Sequence, residues 1–173
     1  MKNSFKKLLF ILSAVMLFVV LFCFNASALK FTGELVSYHE GMKDGKWSNW
    51  TEVVSWNFNN ITKELVISGN GDIEYSEYSP FRGSEEILSV VIEEGVTNVG
   101  AYMFAGCTQL VSVTIPDSVT CIEKNAFYGC KALKTVKIGN GVETIGSNAF
   151  YNCSSLKNII IPDSVISIGS SAF

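Results

Sequence analysis

From Ile87 to Phe173 the apolar positions of the chain recur every 23 residues. Ile87, Leu110, Leu133 and Leu156 open four copies of one phrase: ILSVVIEEGVTNVGAYMFAGCTQ, LVSVTIPDSVTCIEKNAFYGCKA, LKTVKIGNGVETIGSNAFYNCSS and LKNIIIPDSVISIGSSAF. Three residues into each stand Val90, Val113, Val136 and Ile159; five in, Ile92, Ile115, Ile138 and Ile161. Nine in come Val96, Val119, Val142 and Val165; twelve in, Val99, Ile122, Ile145 and Ile168. Seventeen in come Phe104, Phe127, Phe150 and Phe173, and the first three copies add Cys107, Cys130 and Cys153. Columns held in register over four periods are the signature of a solenoid.

Each repeat predicts its own local structure. L-x-x-V-x-I alternates with period two, which makes a short strand with its apolar side turned inward. A tight turn follows, Pro-Asp-Ser in two copies, Glu93-Glu94-Gly95 and Gly139-Asn140-Gly141 in the others. V-x-x-I is β-branched and predicts a second short extended segment. The compact NAFYGC-type stretch predicts a helical turn or loop that drops its Phe into the core. One repeat alone buries almost nothing. Stacked at about 4.8 Å, like columns pack on themselves and neighbouring rungs satisfy each other's backbone groups.

The phrase L-x-x-V-x-I-P-D-S-V-x-x-I-x-x-x-A-F-x-x-C, as it stands in Leu110 to Cys130, resembles the leucine-rich repeats of the BspA-like (Treponema-type) bacterial surface-antigen family. The likeness covers Ile87–Phe173, half of the chain. The first copy departs from it at Glu93-Glu94-Gly95 and at Met103, which replaces Ala. The resemblance implies an exported or surface protein that binds other macromolecules or adheres to hosts and neighbouring cells, and it names no ligand.

Before the repeats, residues 29–84 predict a β-rich N-terminal cap, which would cover the apolar face and open strand edge of the first rung. Leu29–Tyr38 has strand character, and His39–Trp50 is polar and predicts a loop. Val53–Phe58 and Glu64–Ser68 form a hairpin around Asn59–Lys63. Trp56, Phe58, Leu65, Ile67, Gly69, Gly71, Pro80 and Phe81 also resemble, more loosely, the stretch preceding such repeats in exported clostridial-type proteins. The expected fold is therefore mainly β: a right-handed leucine-rich-repeat solenoid with parallel strands over 85–173, with its repeats starting at 87, 110, 133 and 156. The last copy stops at Phe173, before its closing Cys. The sequence thus predicts a truncated fragment, or an open last rung offered for self-association.

Residues 1–28 predict a signal peptide. Lys2, Lys6 and Lys7 precede the apolar run Leu8–Phe24, and Ala26-Ser27-Ala28 supplies a small-residue cleavage site after Ala28. The expected location is secreted or cell-surface, without stable membrane insertion after cleavage. Losing three leader lysines makes a chain of formal charge −3 more acidic, and no basic cluster is expected to remain. That argues against nucleic acid as a partner.

Chemistry is sparse. The only histidine is His39, so no Ser-His or Cys-His pair can be placed on the repeats. Asp117 and Asp163 share one column and suit turns. No C-x-x-C occurs, and neither metal nor cofactor is expected. Cys107, Cys130 and Cys153 predict a packed, reduced thiol ladder; Cys121, in a variable column, predicts an exposed thiol. The sequence points to a binding protein rather than an enzyme, with a structural spacer as the alternative. Its expected binding residues are those between the inward positions of each opening strand, on the concave side: Ser89, Val91, Ser112, Thr114, Thr135, Lys137, Asn158 and Ile160. Trp47 and Trp50 either cover the core or stack on a sugar or peptide. The expected partner is an extracellular protein or glycan.

Overall fold

A computed structural model describes residues 31–43, 46–73 and 79–173, with side chains from Val54 onward. The predicted leader lies outside the described residues. In chain order the strands are β1 (Phe31–Lys43), β2 (Lys46–Asn59), β3 (Glu64–Gly69), β4 (Ser89–Ile92), β5 (Asn98–Val99), β6 (Ser112–Thr114), β7 (Cys121–Ile122), β8 (Thr135–Lys137), β9 (Thr144–Ile145) and β10 (Ser167–Ile168). They form a six-stranded sheet, β1-β2-β3-β4-β6-β8, and a four-stranded sheet, β10-β9-β7-β5. The first sheet takes the L-x-x-V-x-I strands and the second the V-x-x-I segments. Between them the NAFYGC-type stretches are turns, and no helix occurs among the described residues.

The ladder changes direction at β3. Asn59 makes the bend before it: its side-chain oxygen accepts the amides of Ile61 and Thr62 at 2.9 and 3.2 Å. Lys63 takes a left-handed φ of 58°. β3 then runs antiparallel to β2 and parallel to β4, with Leu65 beside Val90 and Ile67 beside Ile92. So the segment predicted as a cap contributes the first strand of the parallel ladder. β1 and β2 pair antiparallel from Phe31–Phe58 to Lys43–Lys46. The predicted loop His39–Trp50 is thus mostly strand. Backbone groups make that ladder, and polar residues supply them as well as apolar ones do; a ribbon without hydrophobic alternation leaves no pattern to read.

The inward columns are buried through the first three rungs, apart from half-buried Ile138; on the fourth, Leu156, Ile159, Ile161 and Val165 are half-buried and Ile168 and Phe173 exposed. The phenylalanines make the spine: Phe81, Phe104, Phe127, Phe150 and Phe173 stack at 5.7, 5.3, 5.2 and 5.6 Å, with planes within 17° of parallel. Trp56 meets Phe81 edge-on at 5.4 Å and ends the column on the β2 side. Offset stacks and edge contacts of this kind add to the burial of the rings themselves.

Two left-handed residues bracket the Phe turns of the first three copies, and one precedes that of the fourth. Tyr102, Asn125, Asn148 and Ser171 have φ of 53–58°, and Gly106, Gly129 and Asn152 have φ of 77°, 71° and 60°. Asn and Gly tolerate that region, which accounts for the N-A-F-x-G/N wording. The turns also bond from rung to rung: the amides of Phe104, Phe127 and Phe150 donate to the carbonyls of Ala126, Ala149 and Ala172 at 2.7–2.8 Å. A side chain joins the pre-repeat segment to the second sheet. Buried Asn98 accepts the Ile73 amide at 2.6 Å and donates to the Ile73 carbonyl at 3.2 Å and to Glu123 Oε1 at 2.8 Å. It thus acts as a strand partner on the edge of β5 away from β7.

Candidate binding surface

Strand pleating sends alternate residues of the six-stranded sheet outward. Parallel pairing puts Ser89, Ser112 and Thr135 in one row and Val91, Thr114 and Lys137 in the next. β3 extends these rows with Glu64 and Val66, and β2 with Asn59 and Asn57. Ser89, Val91, Ser112 and Thr114 are half-buried, whereas Thr135 and Lys137 are exposed. Asn158 and Ile160 continue the columns on the fourth rung, outside any assigned strand, and Ile160 is 86% exposed. The eight predicted residues therefore lie on one side of the solenoid, six of them on β4, β6 and β8.

Structure adds what the sequence reading left out. The face begins two strands earlier, and a flanking column runs Leu88, Val111, Lys134, Lys157, all exposed. Along that column and the Val91 row the surface changes from apolar near β3 to cationic at β8. Trp47 and Trp50 fall on β2, opposite Met42 and His39, rather than in a loop.

Elsewhere polar repeats are occupied in holding turns together. Glu94 accepts the amides of Asp117 and Ser118 at 3.2 and 3.1 Å, and Asp117 accepts the Asn140 amide at 2.7 Å. Ser118 and Ser164 donate to the carbonyls of Val96 and Val142 at 2.7 Å. The acids at these turn positions are thus structural, as the sequence reading expected for Asp117. Tyr128 and Tyr151 stack at 5.5 Å with exposed edges on the Phe-turn side, away from the strand face.

The thiol column is a set of free, buried cysteines. Cys107, Cys130 and Cys153 donate to the carbonyls of Phe81, Phe104 and Phe127 at 3.0–3.2 Å. Burial pushes the Cys107 thiol up to about 11. Its hydrogen bond with Cys153, then burial, raises Cys130, and the same bond lowers Cys153. Cys121 is half-buried on β7 rather than exposed; burial, then Glu123 and Asp72, raise it. A raised thiol keeps its proton longer in the folded chain than in the unfolded one. Its stabilising effect is therefore complete below the ordinary value of 9.0 and is lost as pH rises towards about 11. The urea midpoint should fall between about pH 8 and pH 10.5, and fall less in Cys107→Ala.

Among the described residues no group of three or more His, Cys, Asp or Glu side chains could hold a metal, and no helix is long and apolar enough to cross a membrane. His39 lies on β1, with Trp50 opposite.

Comparison with known proteins matches residues 73–173 to the family described as "BspA type Leucine rich repeat region", in six copies. Three solved structures are similar. A leucine-rich repeat protein of T. pallidum is 23% identical with a TM-score of 0.52, over 68% of this chain and 62% of that one. A leucine rich cell surface protein of Faecalibacterium prausnitzii is 28% identical with a TM-score of 0.52, over 69% and 28%. A leucine-rich repeat protein of Bacteroides ovatus is 24% identical with a TM-score of 0.55, over 87% and 38%. The aligned region spans less than two thirds of each of those chains. A search of curated proteins finds no match.

Proposed function

The chain belongs to the BspA-type leucine-rich-repeat family, and from that premise we propose that it is an exported, surface-displayed binding scaffold, not an enzyme, that engages an extracellular protein or glycan. The observation that carries this reading is the outward face of the six-stranded sheet. No described element covers it, and its rows run unbroken from β2 to β8. Display at the surface is supported by the basic-apolar-small leader pattern and by the similarity to a cell surface protein of F. prausnitzii.

Size limits what this face can do alone. Five inter-strand steps of about 4.8 Å, with β4, β6 and β8 of only three or four residues and so some 10–13 Å long, give roughly 300 Å². A standard interface buries about 800 Å² per partner. Each copy should bind weakly, and firm adhesion should come from many copies displayed together. Retention of the labelled chain on intact bacterial and epithelial cells tests the assignment. Alanine at Val91, Thr114, Lys137 and Ile160 together should cut retention about tenfold, the effect of losing some 1.4 kcal/mol; unchanged retention means that the face is the wrong one.

A second reading rests on Ile160 and Ile166, which stand in outward columns and are 86% and 82% exposed. They suit contact between copies in an envelope spacer. Sedimentation of the chain over a concentration series separates the two readings: association removed by Ile160→Ser and Ile166→Ser favours the spacer.

A further inference from the structure

Four lysines, Lys131, Lys134, Lys137 and Lys157, fall on the third and fourth rungs. Lys134 and Lys157 share one column a rung apart. Lys137 follows Lys134 by three residues, about 10 Å along a strand, and Lys131 precedes it by three. All four are exposed. Among the described residues the recorded ion pair joins Lys63 to Glu86 at 3.1 Å, and none reaches these lysines. Glu143 is the one acid between 124 and 162, and it adjoins β9 of the other sheet. The acids Glu85, Glu86, Glu93, Glu94, Asp117 and Glu123 lie on earlier rungs, and the fourth rung carries Asp163 in its Pro-Asp-Ser turn. Like charges stacked on neighbouring rungs repel; solubility alone does not require such an arrangement.

Lys134 and Lys157 also flank a groove. With Ser154, Ser155 and Asn158 they line a surface volume of about 450 Å³. Its lining residues are two lysines, two serines and an asparagine, with no carboxylate among them. We infer that this groove is a subsite for an anionic polysaccharide, a linear glycan bearing carboxylate or sulfate groups, with Lys134 and Lys157 on the acid and Ser154, Ser155 and Asn158 on sugar hydroxyls. A sugar polymer fits better than an acidic peptide, because it brings a hydroxyl for each of Ser154, Ser155 and Asn158 beside the acid for the lysines. The inference rests on the strand side being the binding side, and it adds a ligand class. It also revises the expectation that no basic cluster survives the leader: the cluster is made by stacking, not by a run.

The test uses polygalacturonate and the same polymer fully methyl-esterified, which keeps the sugar and removes the charge. The chain should bind the acid form about tenfold more tightly than the ester, and lose that preference at high salt, where exposed charges are screened. Lys134→Ser with Lys157→Ser should abolish the preference while leaving the melting curve unchanged, since both residues are exposed. Equal binding of acid and ester, or full binding by the double variant, overturns the subsite. Equally tight binding of poly-glutamate or single-stranded DNA also overturns it, and leaves a polyelectrolyte patch. If the double variant is still retained on cells while the Val91, Thr114, Lys137, Ile160 variant is not, the binding face stands and this subsite falls.

Discussion

Phe127→Ala should lower the unfolding free energy by about 3–5 kcal/mol, the range for deleting a large buried ring. Phe127 is fully buried and stacked on both sides, at 5.3 Å from Phe104 and 5.2 Å from Phe150. Its neighbours cannot close over the hole. The rungs are held apart by their ladders, and the backbone amides of Phe104, Phe127 and Phe150 are tied to the carbonyls of the next rung's alanines. In an array where each repeat contacts only its neighbours, a weakened central junction also uncouples the two halves. Urea unfolding followed by circular dichroism should therefore show a lower midpoint and a shallower slope. Phe173→Ala, half-exposed with one stacked neighbour, is the control and should cost far less. Equal losses in the two variants would mean that the stack is not the spine of the fold.

The inward columns were legible because repetition multiplies a weak signal: a single V-x-I says little, and four in register leave no other reading. Phe81 shows where that method stops. It sits 23 residues before Phe104 and stacks on it, yet the strand of the same rung is offset differently. Leu65 pairs with Val90 and Gly71 with Val96, both 25 residues apart. Two extra residues between Ile73 and Phe81 shift the phase, so a fixed-period alignment loses the rung. The β1–β2 ribbon was hidden for another reason, since its ladder needs no apolar alternation. The lysine groove was hidden for a third. Lys134 and Lys157 are remote along the chain and read as a column only after the rungs are stacked, whereas a search for basic runs sees nothing. Outward columns carry no burial constraint and vary freely, so the sequence places the binding side without showing how its chemistry is graded.

Gly141→Ser should be destabilising by about 2–3 kcal/mol, although serine is what the repeat carries at that position in its second and fourth copies. The column reads Gly95, Ser118, Gly141, Ser164. Consensus substitution commonly stabilises a protein, and here each serine has a bond to make: Ser118 with the Val96 carbonyl, Ser164 with that of Val142. The third rung has no room for one. A Cβ at Gly141 would stand 1.8 Å from the carbonyl oxygen of Asp117, and one at Gly139 would stand 2.2 Å from that of Pro116. Both obstacles are backbone atoms of the rung below, so no rotamer change relieves them and the rungs themselves must part. Gly139-Asn140-Gly141 is therefore the close-approach form of the turn, seated against a Pro-Asp-Ser turn whose Asp117 receives the Asn140 amide at 2.7 Å. Grafting Pro-Asp-Ser onto 139–141 as a unit should then be worse than Gly141→Ser alone, because it adds the second clash. Melting temperatures of wild type, Gly141→Ser and the triple replacement, in falling order, would establish that alternation between the two turn types sets the rung spacing. A triple replacement that melts above the wild type would show that the turns are interchangeable and that the spacing is set by the strands and the phenylalanine column alone.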